Sequence, residues 1–195
     1  MEKRGLTAAL ATVGLRPSSV VGFADELRLG LRGTTRRVWG RRGVKVRQRL
    51  QLRYDWCYLV LAVDARAGTL WWGWVPTMRA QELPPLLGWL RDSGVAALVW
   101  DGAPSHRDAE VRGVGLPLIG LPPYSPELNP AERLFEEVRR QVEGQVYATL
   151  DAKVSAVDAF LEDLDADPAR VRQLCGWAWI ETAFEALADD QPKAA

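Results

Sequence analysis

The sequence predicts an α/β protein: one mixed five-stranded sheet with helices on its faces and a helical extension at the C-terminal end. Three observations predict it. Apolar or alternating runs mark five strands, at residues 19–25, 54–63, 69–75, 95–100 and 116–121. The early strands follow one another through short turns, whereas the later ones alternate with segments of helical spacing. The chain has 195 residues, 48% of them hydrophobic, which suits a single domain with a real core.

Residues 1–18 read as a lead-in helix that ends near Arg16-Pro17. Residues 19–147 read as the main domain, and 148–195 as an acidic helical extension. The first strand carries Asp25 at its charged end. Leu27, Leu29 and Leu31 alternate with polar or small residues, so the strand either continues or turns back as a second one. Residues 32–48, punctuated by Gly33, Gly40 and Gly43, read as hairpins or loops. The turn at 64–68 joins the next two strands. Trp71, Trp72 and Trp74 on the latter read as packing residues rather than a base-stacking platform. A helix over 79–93 places Leu83, Leu86, Leu87 and Leu90 on one face and stops at Gly94. The apolar strand 95–100 delivers Asp101, and a short helix covers 105–111. Asn129 at a cap position and Pro130 at the first helical position start a helix that runs to Val142. A further helix spans 150–164, and Asp167-Pro168 restarts another.

Composition narrows the chemistry. No stretch approaches the roughly 20 apolar residues of a membrane span, and the first apolar run is too short for a secretory signal; a cytoplasmic location is the default. Cys57 and Cys175 lack any paired spacing, and His106 is the single histidine. Metal chemistry would therefore rest on oxygen ligands, which suit magnesium or manganese. Net charge is zero, yet ten basic residues and no acid lie between Glu26 and Asp55. Among them Arg36, Arg37, Arg41, Arg42, Lys45 and Arg47 are the candidates for contact with nucleic-acid phosphates; the plain alternative is a solvated arginine-rich hairpin.

Three acids stand at the ends of elements: Asp25, Asp101 and Glu132. If the first and fourth strands are neighbours, Asp25 and Asp101 come close enough to repel, and a divalent cation between them would relieve that repulsion. Each acid also has an ordinary reading. Asp25 either ligates or pairs with an arginine, and Glu26 is the alternative ligand. Asp101-Gly102 is a common turn pair. Asn129-Pro130-Ala131-Glu132 fits a capping box, in which Glu132 bonds back to the Asn129 amide. His106 steers a substrate phosphate, orients the metal ligands, or caps its own loop.

Several segments carry a resemblance. Phe23-Ala24-Asp25-Glu26, Trp39-Gly40-x-x-Gly43, the run Val99 to His106 (VWDGAPSH) and the run Leu121 to Glu132 (LPPYSPELNPAE) resemble the DDE transposases of the mariner superfamily, and most closely their bacterial insertion-sequence branch. The resemblance covers about residues 20–145. It implies an RNase H-like fold and a site in which Asp25, Asp101 and Glu132 hold two Mg²⁺ (or Mn²⁺) ions, with Glu26, His106 and Asn129 as accessory residues. It further implies metal-dependent cleavage and transfer of DNA strands, with transposon ends and target DNA as partners, a homodimer in a paired-end complex, and a bacterial, nucleoid-associated location. A catalytically inactive remnant that binds DNA and an RNase H-like nuclease without strand transfer are the other readings. Gly102 stands where family members often have Asn, and thirty residues separate Asp101 from Glu132, slightly fewer than usual. Only 24 residues precede Asp25, too few for the family's helix-turn-helix region, so the chain reads as the second frame of a split element, partnered by an upstream helix-turn-helix frame product, or as a truncated copy.

Overall fold

The computed structural model describes residues 3–33 and 39–189. Its strands are β1 (Val21–Gly30), β2 (Trp56–Asp64), β3 (Thr69–Val75), β4 (Ala97–Trp100) and β5 (Leu118–Gly120). They form one sheet in the order β3-β2-β1-β4-β5. β2 runs antiparallel to both β1 and β3, β4 runs parallel to β1, and β5 runs parallel to β4. The helices are α1 (Lys3–Thr12), α2 (Pro84–Asp92), α3 (Ala109–Gly113), α4 (Pro130–Val142), α5 (Leu150–Asp165), α6 (Pro168–Cys175) and α7 (Ala178–Asp189). The expected fold class, a mixed five-stranded sheet flanked by helices, is the one observed.

The side-chain alternation of the strands divides the core into two layers. Phe23, Leu27, Leu59, Leu61, Val63 and Val99 face α1, α4, α5, α6 and α7. Ala24, Val60, Ala62, Leu98 and Trp100 face the other way, against residues of α2 and α3 such as Leu87, Leu90 and Val111. The C-terminal helices share the first layer: Val157, Leu161, Val171, Ile180 and Phe184 are buried within it.

β1 corrects the sequence reading. The strand does not close at Asp25 but runs on to Gly30, with Asp25 paired across the ladder to Leu61. The alternation of Leu27 and Leu29 is the continuation of the same strand, and both are buried. The helix expected over 79–93 is also divided, into a 3₁₀ turn at Ala80–Glu82 and then α2. Pro84 and Pro85 have no amide hydrogen to donate, so they can only begin a helix, not lie inside one.

α5 lies over β3 and explains two of the tryptophans. The Trp72 and Trp74 indole N–H groups both donate to Asp158 Oδ1, at 3.0 and 2.8 Å, and both rings pack on the first core layer, whereas Trp71 packs on the second. Asp158→Ala is expected to cost about 1–3 kcal/mol by stranding two half-buried donors; urea unfolding of both proteins measures it, and a midpoint unchanged from wild type contradicts the packing role. The turn between β2 and β3 meets the start of α6 so closely that a Cβ on Gly68 (φ +78°) would overlap the Pro168 carbonyl. From the same turn Arg66 donates to the Pro17 carbonyl at 2.7 Å, pairs with Glu181 at 3.2 Å and stacks 4.3 Å over Phe184.

The basic segment forms no helix or strand over residues 39–55. Its ends are tied by amides of Leu31 and Gly33 donating to the carbonyls of Asp55 and Gln51. Its return leg is seated by Gln51 and Arg53, which donate to the Tyr147 and Ala148 carbonyls. Among the described residues no helix is long and apolar enough to cross a membrane.

Candidate active site

The parallel pairing of β1 with β4 fixes where the acids fall. Phe23 lies opposite Val99, so two residues further along Asp25 comes level with Asp101, just past the end of β4. By the period of two, Asp25 follows Phe23 onto the sheet face that α4 covers, while Asp101, beyond the last residue of β4, turns to the Ala103 amide and His106. Glu26 takes the opposite face with Ala24. The strand period thus separates the two neighbouring acids that the sequence left as rivals.

α4 brings the third acid. Its first residues are docked on β1 by Asn129, which is buried at 2% exposure. The Asn129 Oδ1 accepts from the Ala131 amide at 3.2 Å and caps the helix. Its Nδ2 donates to the Ala24 carbonyl at 2.9 Å and to Asp25 Oδ2 at 3.2 Å. The capping box does not form, because the Asn129 amide donates instead to the Pro126 carbonyl. Glu132 is left with its carboxylate 4.0 Å from Arg139, half-exposed, at the positive end of the helix dipole. Asn129→Ala should destabilise the fold by about 1–3 kcal/mol, from the lost cap and the unpaired Ala24 carbonyl. Asn129→Ser, which keeps a capping oxygen, should recover only the cap's share in a thermal or chemical melt.

Electrostatics reflect this crowding. Burial pushes the Asp25 carboxyl up to about 7, and the charges of Glu26, Glu132 and Asp101 push the same way, against the opposing hydrogen bond from the Glu26 amide. Asp101 is held from below. Its Oδ1 accepts from the Ala103 amide at 3.0 Å, so the turn suggested by Asp101-Gly102 is present together with the cleft position. His106 lies 2.8 Å from that oxygen through Nδ1 and 2.9 Å from Glu26 Oε1 through Nε2. The latter is a close ion-pair contact that is not aligned as a hydrogen bond. The ring is 4% exposed and stacks on Trp100, with centroids 3.7 Å apart. Burial works to lower the His106 pKa, but the contacts with Glu26 and Asp101 outweigh it, and the net direction is up. Nδ1 also lies 3.1 Å from the Asp101 main-chain carbonyl, so the ring both caps its own loop and touches the Asp101 carboxylate.

Asp25, Asp101 and Glu132 line one cleft of about 1120 Å³ with Asn129, His106 and the loop that follows β5. All three are oxygen donors, which fit a hard divalent cation. Among the described residues, however, no three acidic, histidine or cysteine side chains stand close enough to ligate one ion together.

Of the basic candidates, Arg41, Arg42, Lys45 and Arg47 are exposed on the segment without regular structure. Arg36 and Arg37 lie outside the described residues. Sequence reasoning missed Trp100, which supports His106, and Arg107, whose guanidinium covers Gly102. A Cβ there would come 2.8 Å from Arg107 Nη2. It also passed over Tyr124, fully exposed on the cleft wall. Only the proline-rich context of Tyr124 hinted at an unusual loop.

Residues 20–152 match the DDE superfamily endonuclease family. Among solved structures, the chain is similar to the Mos1 strand transfer complex (TM-score 0.63, 15% identity, covering 100% of this chain and 64% of that one). It is likewise similar to the mariner Mos1 paired end complex with Mg (TM-score 0.62, 17% identity, 99% and 63%). Against the catalytic domain of Mos1 mariner transposase, the TM-score is 0.54 at 14% identity, covering 97% of this chain and 94% of that domain. At such identities these likenesses show the fold alone, which is RNase H-like as expected. The chain spans under two thirds of the first two transposase chains. No curated protein matches the sequence.

Proposed function

From the premise that this chain belongs to the DDE superfamily endonucleases, we propose that it is the catalytic domain of a cut-and-paste transposase of the bacterial insertion-sequence branch, cleaving and transferring DNA strands. The observation that carries this reading is that three carboxylates, remote in sequence, line one cleft, and the upward push of burial on the Asp25 carboxyl, to about 7, supports it. The Mg and Mn paired-end complexes of the similar transposase lend the same support to a divalent ion here. Residues 19–147 form the catalytic unit in this reading, and 148–195 the helical extension that covers one sheet face.

Asp25, Asp101 and Glu132 would hold two Mg²⁺ or Mn²⁺ ions, which when bound supply Lewis acidity and a nucleophile at neutral pH for in-line phosphoryl transfer. The chain's own residues prepare the place. Asn129 fixes the Asp25 carboxylate and the helix that carries Glu132 in a single contact. His106 and the Ala103 amide keep Asp101 in one orientation, with Glu26 holding the far side of the imidazole. Arg41, Arg42, Lys45 and Arg47, with Arg36 and Arg37, bind DNA phosphates without reading sequence. Paired-end chemistry belongs to a homodimer in this reading.

The test is a two-substrate assay in Mg²⁺ or Mn²⁺. Intact duplex DNA reports cleavage, and a pre-cut end bearing a 3′-hydroxyl reports joining to target DNA. Cleavage and joining together support the transposase; cleavage without joining identifies a nuclease. Absence of both removes the enzymatic reading.

A further inference from the structure

The cleft extends beyond the carboxylates, and its far wall has a chemistry that the three acids do not use. Tyr124 is fully exposed there. It is also the one non-glycine residue with positive φ (+56°) among the described residues. An L-residue in that conformation costs on the order of 1 kcal/mol, and an exposed ring gives nothing back through burial. Strain of this kind persists where the surroundings enforce it and tends to gather at working sites. Pro122, Pro123 and Pro126 bracket the residue and leave its backbone few alternatives. Ser125 Oγ donates to the Pro123 carbonyl, closing the loop on itself. The tyrosine ring is thereby held out into the cleft.

Two arginines complete the wall. Arg107 lies over Gly102, next to Asp101, and Arg112 lines the same cleft from α3. Neither guanidinium has a carboxylate partner among the described residues. An aromatic face and two unpaired cations, adjoining an acidic site, match the parts of a nucleotide: a π-faced base and an anionic phosphate joined by a sugar.

We propose that Tyr124, Arg107 and Arg112 form a nucleotide subsite in which a base flanking the scissile phosphate of a DNA strand stacks on the tyrosine ring while the arginines hold the adjoining phosphate. The proposal deepens the reading of the cleft as a DNA-cleaving site and rests on it. Stacking on an aromatic ring is tolerant of sequence, since every base has a face. The subsite therefore grips a frayed or single-stranded nucleotide without specifying which one. Gly102 is part of the device, because a side chain there would displace the Arg107 head group.

The experiment uses the full chain with short single-stranded DNA carrying 2-aminopurine at successive positions, in Ca²⁺. Wild type should quench the probe at one favoured position. Tyr124→Gly keeps the positive φ at no steric cost and should keep the wild-type melting temperature. It should lose the quench and bind about tenfold more weakly or worse. Tyr124→Phe should retain both properties. Arg107→Ala should weaken binding and reduce the salt dependence by about one phosphate contact. Binding and quenching by Tyr124→Gly equal to wild type would overturn the subsite, as would a Tyr124→Phe protein as weak as Tyr124→Gly. Failure of the subsite is distinct from failure of the active site. Mg²⁺-dependent cleavage that requires Asp101, with no effect of Tyr124→Gly on cleavage or quench, removes the subsite alone. A Tyr124-dependent quench in a protein that never cleaves DNA keeps the subsite and removes the activity.

Discussion

Asp101→Asn is expected to abolish metal-dependent DNA cleavage while leaving the fold intact. The variant keeps an oxygen for the Ala103 amide, and at 54% side-chain exposure the position contributes little to the core. What is lost is a charged ligand. The several kcal/mol that a bound metal contributes to a phosphoryl-transfer transition state correspond to a fall of about 10³-fold or more. Gel assays of duplex nicking in Mg²⁺ and Mn²⁺, run beside a thermal melt, check both halves. Wild-type cleavage by the variant would remove Asp101 from the site, and with it the metal-site model.

Asp25→Asn should separate stability from activity in the opposite direction. The Asp25 pKa stands at about 7 against an ordinary 3.8, with burial as the largest cause. Between those values the unfolded chain releases a proton that the folded chain keeps. Stability therefore declines as pH rises through that window, and the full cost is present above about 7. A neutral asparagine removes the cost. Its amide nitrogen cannot accept from Asn129 Nδ2 as the carboxylate does, which offsets part of the gain. In metal-free buffer the variant should therefore gain about 2–4 kcal/mol relative to wild type between pH 3.5 and pH 8, and be the more stable protein at pH 8. Cleavage should be lost. A companion measurement reads the same proton: calorimetric titration of wild type with Mg²⁺ should release close to one proton at pH 6 and far less at pH 8.5, when the carboxyl is already ionised. A variant less stable than wild type at pH 8 contradicts the raised pKa.

Much of the fold was legible because local chemistry and tertiary packing agree. α4 begins and ends where its cap and proline predict, and β3 matches its predicted span. Strand ends were harder. Val95 and Ala96 belong to the same apolar run as β4, yet parallel pairing begins only where Ala97 meets Val21. Such a boundary is set by a partner some 75 residues away and leaves no local mark. The continuation of β1 past Asp25 was ambiguous for the same reason: alternation is identical for one long strand and for two short ones. In the site, the three acids were visible through their motifs, but their supports were not. The Glu26–His106 contact joins residues eighty apart, and the Trp100 stack under the imidazole follows only from the strand's twofold period. Tyr124 escaped because exposure and backbone strain are properties of the folded loop.

Asn129 also frees the place of Glu132 from the length of chain that precedes it. The address of Glu132 is written in a bond to the first strand rather than in the count of residues after Asp101. A shorter or longer excursion through α3 and β5 should therefore leave the third carboxylate at the same place beside Asp25.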